Sequence, residues 1–397
     1  MRQKLINHSP DLARLRDEGF YVEIRGAFLL VHQIPYVSSA KVVQRGTLVS
    51  TLSVDGERSG RPSDHTAHFI GEFPCDSAGT ELVAIKAGSQ TQRLDTDLIV
   101  NHYFSSKPKI GHYADYYEKI TTYAAILSSP AATLDDTATA RVYAVIEPDP
   151  DDEEAVFNYL DTNSGRAKIA HISNRLRGQK IGIIGVGGSG SYVLDLVAKT
   201  PVKEIHLYDD DIFSNHSAFR APGAASIDEL RVQPKKVAYF AEEYSKLHRS
   251  IRTHDCKVTE ENFEALDGLD FVFLCIDNGS AKSAVFEKLE AMAIPFIDVG
   301  MGIATVDESL IGILRVTTST PDQRKHVYEN GRVSFSSGAD DDAYDQNIQI
   351  AELNALCATL AVIKWKKLCG FYQDLIHEHH CTYSLNDAML LNDDFAA

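Results

Sequence analysis

Short apolar runs, broken by turn-forming residues, predict an antiparallel sheet in the first part of the chain. The β-rich runs lie at residues 21–24, 27–34 and 41–52. Gly, Pro and Asp separate them, as is typical of strands joined by turns. Tyr117, Ile120, Ala124 and Leu127 then recur at helical spacing and predict one amphipathic helix. We therefore predict a β-rich N-terminal domain over residues 1–145, whose role the pattern does not indicate.

An acidic segment interrupted twice by proline, at 147–154, predicts a linker, and we place the linker over residues 146–163. From residue 155 onward, strands alternate with helices, which is typical of a parallel sheet. The predicted strands lie at 180–184, 204–208, 250–254, 270–276 and 295–299. We expect an α/β domain over 164–397, with a Rossmann-like, doubly wound, mostly parallel sheet.

The remaining segments of this second domain are predicted to be helices and one long loop. A polar helix is expected around 227–248, and the polar stretch 317–347 reads as a mobile loop. The last helix ends near Gly370, a residue suited to a helix C-terminus. Its apolar stripe consists of Ile350, Leu353, Cys357, Leu360 and Lys364.

Composition narrows the class of protein. The chain has 397 residues, a formal charge of −17 and six cysteines without a C-x-x-C pair. The charge argues against nucleic acid as a partner, and the cysteine spacing disfavours a disulfide scaffold or a four-thiolate zinc site. No signal peptide is apparent in the first thirty residues, and no segment approaches the roughly 20 apolar residues of a membrane span. We expect a reduced, cytoplasmic protein.

A glycine-rich turn, G-V-G-G-S-G at 185–190, follows the first strand of the second domain and opens a helix. Its glycines are Gly185, Gly187, Gly188 and Gly190. Such a turn leaves N–H groups free at a helix N-terminus, where phosphate binds, and Asp209 ends the next strand, within reach of a ribose hydroxyl. The pattern predicts a nucleotide site, for either NAD or ATP.

Four further features favour ATP. The second strand ends in three acids, Asp209 to Asp211, and Arg220 follows in a loop. Lys235 stands in Q-P-K-K at a helix start, and the fourth strand ends with Asp277 and Asn278. Acids and cations that converge on a glycine-rich turn suit a magnesium-bound triphosphate better than a nicotinamide.

These motifs resemble the ubiquitin-activating superfamily, which includes the ThiF and MoeB adenylyltransferases, over roughly residues 164–315. Ser217 stands where that family usually has the asparagine of N-L-x-R. Ser164, Arg166 and Ala167 resemble the segment whose arginine crosses a homodimer to the neighbour's phosphates. The resemblance assigns catalysis to Arg220, Lys235, Asp277 and Arg166, and magnesium to Asp277. It assigns nucleotide binding to the four glycines, Asp209, Asp211, Ser217 and Asn278.

The implied reaction is adenylation of the C-terminal carboxylate of a ubiquitin-like or sulfur-carrier protein that ends in glycine. The polar stretch at 315–347 holds no cysteine for a thioester, although Ser334, Ser336 and Ser337 offer hydroxyls. Cys357 reads as a core residue and Cys275 as part of a strand. The absence of zinc-binding cysteine pairs favours conjugation over sulfur transfer. The N-terminal domain is expected to recruit a pathway partner, such as a conjugating enzyme or the carrier.

Two other classes remain open at this point: an NAD(P)-dependent oxidoreductase that uses the same turn, and a module that binds nucleotide without catalysis. Two histidine groupings could bind metal but are more often surface or hydrogen-bonded core residues. They are His65, His68, Cys75 and His102 in the first domain, and His377, His379 and Cys381 near the end of the chain.

Overall fold

A computed structural model describes residues 2–146, 155–276, 279–335 and 348–395. The chain forms two compact units, Met1–Ala155 with Tyr159–Ala170, and Val156–Asn158 with His171–Ala397. Residues 164–170, which we placed in the second domain, therefore pack with the first unit.

The elements are numbered in chain order within the described residues. The helices are α1 (Arg2–His8), α2 (Pro10–Asp17), α3 (Tyr116–Leu134), α4 (Thr162–Arg166), α5 (Ala170–Ser173), α6 (Gly188–Val197), α7 (Asn215–Ala218), α8 (Ile227–Val232), α9 (Lys236–Ser245), α10 (Gly279–Ala291), α11 (Lys325–Glu329) and α12 (Ala351–Leu368). The first ten strands are β1 (Tyr21–Arg25), β2 (Phe28–Val37), β3 (Val43–Thr51), β4 (Val54–Asp55), β5 (Arg58–Ser59), β6 (Thr66–Ile70), β7 (Lys86–Gly88), β8 (Gln92–Asp95), β9 (Leu98–Val100) and β10 (His102–Ser105). The others are β11 (Lys180–Ile184), β12 (Glu204–Tyr208), β13 (Ile251–His254), β14 (Phe271–Leu274), β15 (Phe296–Val306), β16 (Ser309–Ser319), β17 (Glu378–Ser384) and β18 (Met389–Phe395).

The first unit is built on an antiparallel sheet of strand order β1-β2-β3-β6-β10-β7, which confirms the predicted β-rich N-terminal domain. Helix α3 buries Ile120, Tyr123 and Leu127 in the core of this unit. Its N-terminus is capped by Asp115, whose carboxylate accepts the Glu118 N–H at 2.8 Å. The cap satisfies a backbone donor that the first turn of a helix leaves unpaired.

The second unit is an α/β structure on a sheet of order β13-β12-β11-β14-β15-β16-β17-β18. The strands from β13 to β15 pair in parallel, as predicted. Helices α6 and α12 pack on one face of this sheet and α10 on the other. Successive residues of β14 alternate between the two cores, which confirms the doubly wound architecture.

The sheet continues beyond its parallel half through three antiparallel pairings that the sequence pattern did not predict. The predicted strand 295–299 extends as β15 to Val306 and turns into β16, which pairs with β17, and β17 with β18. Part of the predicted loop 317–347 is therefore regular structure, since β16 ends at Ser319 and α11 follows. Its residues 336–347 lie outside the described part of the chain.

The single helix predicted around 227–248 is two helices, α8 and α9. Gln233 adopts a left-handed conformation at φ 50° between them. Pro234 is the cause, because a proline disfavours the right-handed helical conformation in the residue before it. The end predicted for the last helix is confirmed: Gly370 follows α12 with φ 69°.

The buried lysine on the apolar stripe of α12 is held by acids. Lys364 is 6 % exposed, and its amine lies 3.1 Å from Asp374 and 3.7 Å from Glu378. All six cysteines are free. Among the helices of the described chain, none combines the length and the apolar character that a bilayer crossing demands.

We predict that His380 makes the stability of the second unit depend on pH. Burial lowers the pKa of His380 to about 4, with Arg332 and Arg315 adding to this and Asp394 and Asp393 opposing it. Its Nδ1 lies 3.1 Å from the Thr317 hydroxyl. A histidine in the unfolded chain has a pKa of ~6.5. Above that pH, His380 is neutral in both the folded and the unfolded state, and the folded protein keeps its full stability. The free energy of unfolding is expected to decrease by about 3 kcal/mol between pH ~6.5 and pH ~4.

Urea unfolding at pH 7 and 4.5, followed by the fluorescence of Trp365, measures this effect, since Trp365 is the one tryptophan and lies in the core of this unit. His380→Asn is expected to lose less stability on acidification than the unsubstituted protein. Exposed His171→Gln is the control and should follow the unsubstituted protein. An equal loss in all three proteins contradicts the assignment to His380.

Candidate functional site

The glycine-rich turn brings three backbone segments into close contact. Gly185 has φ 84°, and a Cβ there would lie 2.6 Å from the Cys275 carbonyl oxygen. A Cβ on Gly190 would overlap the carbonyl oxygen of Gly185. Glycine at both positions therefore lets α6 begin directly behind β11 and beside the end of β14. A Cβ on Gly187 would meet no atom within 4 Å, so that backbone faces open space.

A cavity of about 250 Å³ lies at the carboxyl edge of the parallel strands, in front of this turn. Ligands bind at this edge in open α/β sheets. The lining residues include Gly185, Gly187, Gly188, Ser189, Asp209, Asp211, Arg220, Lys236, Cys275, Ile276, Gly300 and Gln349. Three of the four predicted glycines, two of the predicted acids and Arg220 thus meet at one cavity, with Gly190 packed behind the turn.

Asp209 is fixed at the end of β12 by the turn itself. One carboxylate oxygen accepts the Val186 N–H at 2.9 Å, and the other accepts the Asp211 N–H at 2.9 Å. The side chain is 9 % exposed. Two backbone donors thus fix the orientation of this carboxylate in a partly buried position.

The lysine at the cavity is Lys236 and not Lys235. Lys236 is 6 % exposed, and its amine donates to Asp211 at 2.7 Å and lies 3.7 Å from Asp209. This hydrogen bond to Lys236 lowers the pKa of the Asp211 carboxyl. One buried cation is thereby shared between two carboxylates.

Lys235, which we predicted to be catalytic, points elsewhere. It is the residue before α9, is 42 % exposed, and its amine donates to the Asp210 carbonyl at 2.6 Å and pairs with Asp255 at 3.1 Å. The two lysines point in different directions because α9 begins at Lys236, and successive helical residues project about 100° apart. The buried positions Val237 and Phe240 mark the inward face of α9, and Lys236 lies one turn before Phe240. Helical spacing from these apolar residues could have identified Lys236.

Arg220 follows the short helix α7 and lines the cavity. Its Nε atom is buried and has no hydrogen-bond partner within the described ranges. Ser217, three residues earlier, is buried, and its hydroxyl likewise finds no partner in the part of the chain that is described. A buried guanidinium nitrogen without a partner is costly. A guanidinium Nε–H can donate a hydrogen bond to an anion.

Two predicted residues, Asp277 and Asn278, lie outside the described residues. Arg166 lies in α4 of the first unit, where its guanidinium stacks 4.6 Å over the ring of Tyr143. This is a cation–π contact within that unit.

One group of acidic residues has the spacing of a metal site. Among described His, Cys, Asp and Glu residues, only Asp209, Asp210 and Asp211 place three ligand atoms within 4.8 Å of one another. Two of them already share Lys236, which accounts for their proximity without an ion. The two predicted histidine–cysteine groupings do not form such a cluster in the described chain.

The cysteines divide into a core residue and a cavity residue. Cys357 is fully buried on α12, and burial raises the pKa of its thiol to about 12, which confirms its interpretation as a core residue. Cys275 differs from the prediction, because β14 ends at Leu274 and Cys275 lines the cavity.

Sequence reasoning missed two polar residues that lie against the turn. Gln349 lines the cavity, and Asn354, with 0 % exposure, contacts the turn from α12. A Cβ on Gly188 would overlap the side chains of both. A signal existed for Asn354, since it follows Leu353 on the buried side of a helix lined mostly by apolar residues.

Two family models match the chain. A domain of unknown function (DUF6791) matches residues 10–162. The ThiF family model matches residues 165–363, which is half of the chain. The chain belongs to the ThiF family.

Curated relatives match this ThiF-family chain over a limited part. "Ubiquitin-like modifier-activating enzyme 5" of Drosophila persimilis is 24 % identical over 136 residues, which cover 30 % of this chain and 34 % of that protein. The protein of the same name from Drosophila mojavensis is 25 % identical over 136 residues, 30 % of this chain and 33 % of that one. The match thus spans about a third of the length of these relatives.

Solved structures with a similar fold are more distant. Escherichia coli MccB, with AMPCPP and MccA, is 14 % identical and covers 79 % of this chain and 96 % of that chain at a TM-score of 0.45. PaaA is 18 % identical and covers 57 % of this chain and 67 % of that chain at a TM-score of 0.44. At these sequence identities and TM-scores, the structural similarities add nothing to the family assignment.

We predict that the two ends of the glycine-rich turn differ in their tolerance of a methyl group. Gly190→Ala is expected to destabilise the second unit by about 1–3 kcal/mol, because the new methyl overlaps the Gly185 carbonyl and forces a backbone shift. Gly187→Ala is the comparison, since a Cβ there would meet no atom within 4 Å and a smaller loss of stability is expected. Urea unfolding followed by Trp365 fluorescence measures both. Equal stability of the two variants would show that the close contact at Gly190 is not essential.

Proposed function

We propose that this ThiF-family chain adenylates the C-terminal carboxylate of a small ubiquitin-like or sulfur-carrier protein that ends in glycine, with ATP as the second substrate. One observation carries the proposal. The glycine-rich turn, the fixed Asp209 carboxylate and two cations, Lys236 and Arg220, line a single cavity. A phosphate chain needs backbone donors and cations, and a ribose needs a carboxylate acceptor.

The cations favour a triphosphate over a nicotinamide cofactor. A nicotinamide dinucleotide presents a pyrophosphate to such a turn, whereas ATP presents three phosphates and therefore more anionic oxygens for cations to contact. Arg220 brings a buried Nε without a partner to the cavity, and Lys236 brings an ammonium. The donor set thus fits the oxygens of a phosphate chain.

The roles of the residues follow from charge. The attacking carboxylate is ionised at neutral pH, so the step requires no general base. A carboxylate oxygen attacks the α-phosphorus, the bond from that phosphorus to the bridging oxygen breaks, and pyrophosphate leaves. Arg220, Lys236 and the N–H groups of the turn would stabilise the charge on the phosphoryl oxygens. Asp209 would accept a ribose hydroxyl, and Asp211 would hold Lys236 in place.

Other residues complete the proposed site. The family resemblance assigns magnesium to Asp277; the ion would supply further neutralisation of phosphate charge. Asn278 and Ser217 are proposed nucleotide contacts. Arg166 is proposed to reach the phosphates of a second copy, which requires a homodimer. Lys235 is no longer part of the proposal, since it is not among the residues that line the cavity and its amine contacts Asp210 and Asp255.

The proposed partner is a ubiquitin-like protein. The name of the Drosophila relatives, a ubiquitin-like modifier-activating enzyme, supports this class. A conjugating enzyme recruited by the first unit and a cytoplasmic setting belong to the same proposal. We propose no thioester on Cys357, because its thiol is fully buried and its pKa is raised to about 12.

Neighbouring lysines provide a matched test of the site. Lys236→Ala is expected to weaken the binding of magnesium–ATP at least tenfold, because it removes a buried cation from the cavity. Lys235→Ala removes an exposed ion pair and should change the dissociation constant by less than about threefold. Isothermal titration calorimetry measures both, and thermal unfolding verifies that each variant is folded. Equal affinities in both variants would remove Lys236 from the proposed site.

Pyrophosphate exchange tests the reaction itself. With a small carrier protein that ends in glycine, Arg220→Ala is expected to lower the rate of exchange by about 10²–10³-fold, as removal of one charge-stabilising donor does. Intact mass of carrier and enzyme should then show an adenylated carrier and no adduct on the enzyme. Binding of NADH or NADPH by the unsubstituted protein, without binding of magnesium–ATP, would support an oxidoreductase and overturn adenylation.

A further inference from the structure

One buried amide on α12 contacts two separate segments of the cavity wall. Asn354 has 0 % exposure, and its Oδ1 accepts the Ser189 hydroxyl at 2.9 Å. Its Nδ2 faces the Arg220 carbonyl oxygen at 3.5 Å, a longer contact than the ~2.7–3.2 Å of most N–H···O hydrogen bonds. Ser189 belongs to the glycine-rich turn and the first turn of α6, whereas Arg220 follows β12 and α7. The amide therefore lies between two segments that follow different strands of the parallel sheet.

The orientation of the amide follows from its partners. The Arg220 carbonyl can only accept a hydrogen bond, so the NH₂ group must face it. The Ser189 hydroxyl can donate, which leaves the amide oxygen for that side. An apolar side chain could fill this position in the core but could satisfy neither group.

The buried neighbours of Asn354 on α12 itself are apolar. Leu353, Cys357 and Ala358 are buried beside it on the same helix. Asparagine is among the weaker helix formers, and a buried amide without partners is costly. A polar side chain at this place is therefore accounted for by its two contacts and not by helix formation or packing.

The same helix touches a third part of the wall. The Cys357 thiol lies 3.8 Å from the Gly300 carbonyl, and Gly300 lines the cavity next to Met301. Gly188 packs directly against the Asn354 amide, since any Cβ there would overlap it. Helix α12 thus supports the turn from behind, on the side away from the cavity.

We propose that Asn354 is a positioning residue that holds the glycine-rich turn and the Arg220 segment in one arrangement for the phosphate chain. The proposal rests on the proposed function, in which these two segments bind the same nucleotide. Asn354 itself does not line the cavity and touches no substrate. It acts through Ser189 and through the backbone of Arg220.

The first test needs no nucleotide. Hydrogen–deuterium exchange of the free protein is measured for segments 186–191 and 217–221. In Asn354→Ala both segments are expected to exchange at least threefold faster. In Ser189→Ala, which removes the same bond from the other side, segment 217–221 should also accelerate if the amide couples the two.

A substitution on the same helix provides the control. Thr359→Ala removes a hydroxyl that donates to the Ala355 carbonyl at 2.7 Å, away from the cavity. Its exchange in both segments should equal that of the unsubstituted protein. If Asn354→Ala and Ser189→Ala behave like Thr359→Ala, the positioning role is wrong.

The second test measures coupling on nucleotide binding. Asn354→Ala is expected to weaken magnesium–ATP binding about three- to tenfold, as the loss of one or two hydrogen bonds does. In the double variant with Ser189→Ala, the combined effect should be clearly smaller than the product of the single effects, because both remove the same contact. The inference would be overturned if the effects of the two substitutions on the dissociation constant simply multiplied. It would also be overturned if Asn354→Ala left the affinity for magnesium–ATP unchanged.

The two tests separate this inference from the function on which it rests. If the unsubstituted protein does not bind magnesium–ATP, adenylation fails, whereas the exchange experiment still decides whether Asn354 couples the segments. If the protein binds magnesium–ATP and the exchange of both segments is unchanged in the variants, the site stands and the role of Asn354 is refuted. Should Asn354→Ala fail to fold, Ser189→Ala alone decides through the exchange of 217–221.

Discussion

The close backbone contact at the glycine-rich turn is the constraint on which the candidate site depends. Gly190 lies against the Gly185 carbonyl, and Gly185 against the Cys275 carbonyl, so a helix, its strand and a neighbouring strand meet without side chains between them. This closeness directs the Val186 N–H at the Asp209 carboxylate at 2.9 Å. It also leaves the backbone at Gly187 open toward the cavity. An anion can therefore approach backbone donors at the N-terminus of α6.

The chain is acidic overall, yet the proposed ligand is an anion, and the charges around the glycine-rich turn reconcile the two. The protein carries a formal charge of −17, and three acids follow β12. Lys236 neutralises part of that charge from a buried position, and Arg220 adds a second cation at the cavity. In the proposed function, binding of a phosphate chain depends on these local cations rather than on the net charge, because ionic screening limits the reach of distant charges to about 10 Å.

The sequence predicted the parts of the fold whose signals are local. Strands β11 and β12 have the predicted bounds, since apolar runs flanked by turn residues define them. The choice of Lys235 over Lys236 depended on where α9 begins, and a shift of one residue in a helix turns the side chain by about 100°. Strands β16 to β18 escaped prediction because they carry many polar residues, and because β16 pairs with β17, a strand distant in sequence.

Contacts between residues distant in sequence also complete the candidate site. Helix α12 follows the glycine-rich turn and the Arg220 segment by more than a hundred residues in the sequence, yet Asn354 and Cys357 touch both of these segments and Gly300. No local pattern at the glycine-rich turn reveals such support, because the turn motif describes only the backbone that faces the ligand. The motif specifies where phosphate can bind, and the packing of α12 specifies how rigidly the two binding segments are held together. In a pocket built from loops, that rigidity decides how much of the binding energy is spent on ordering the protein.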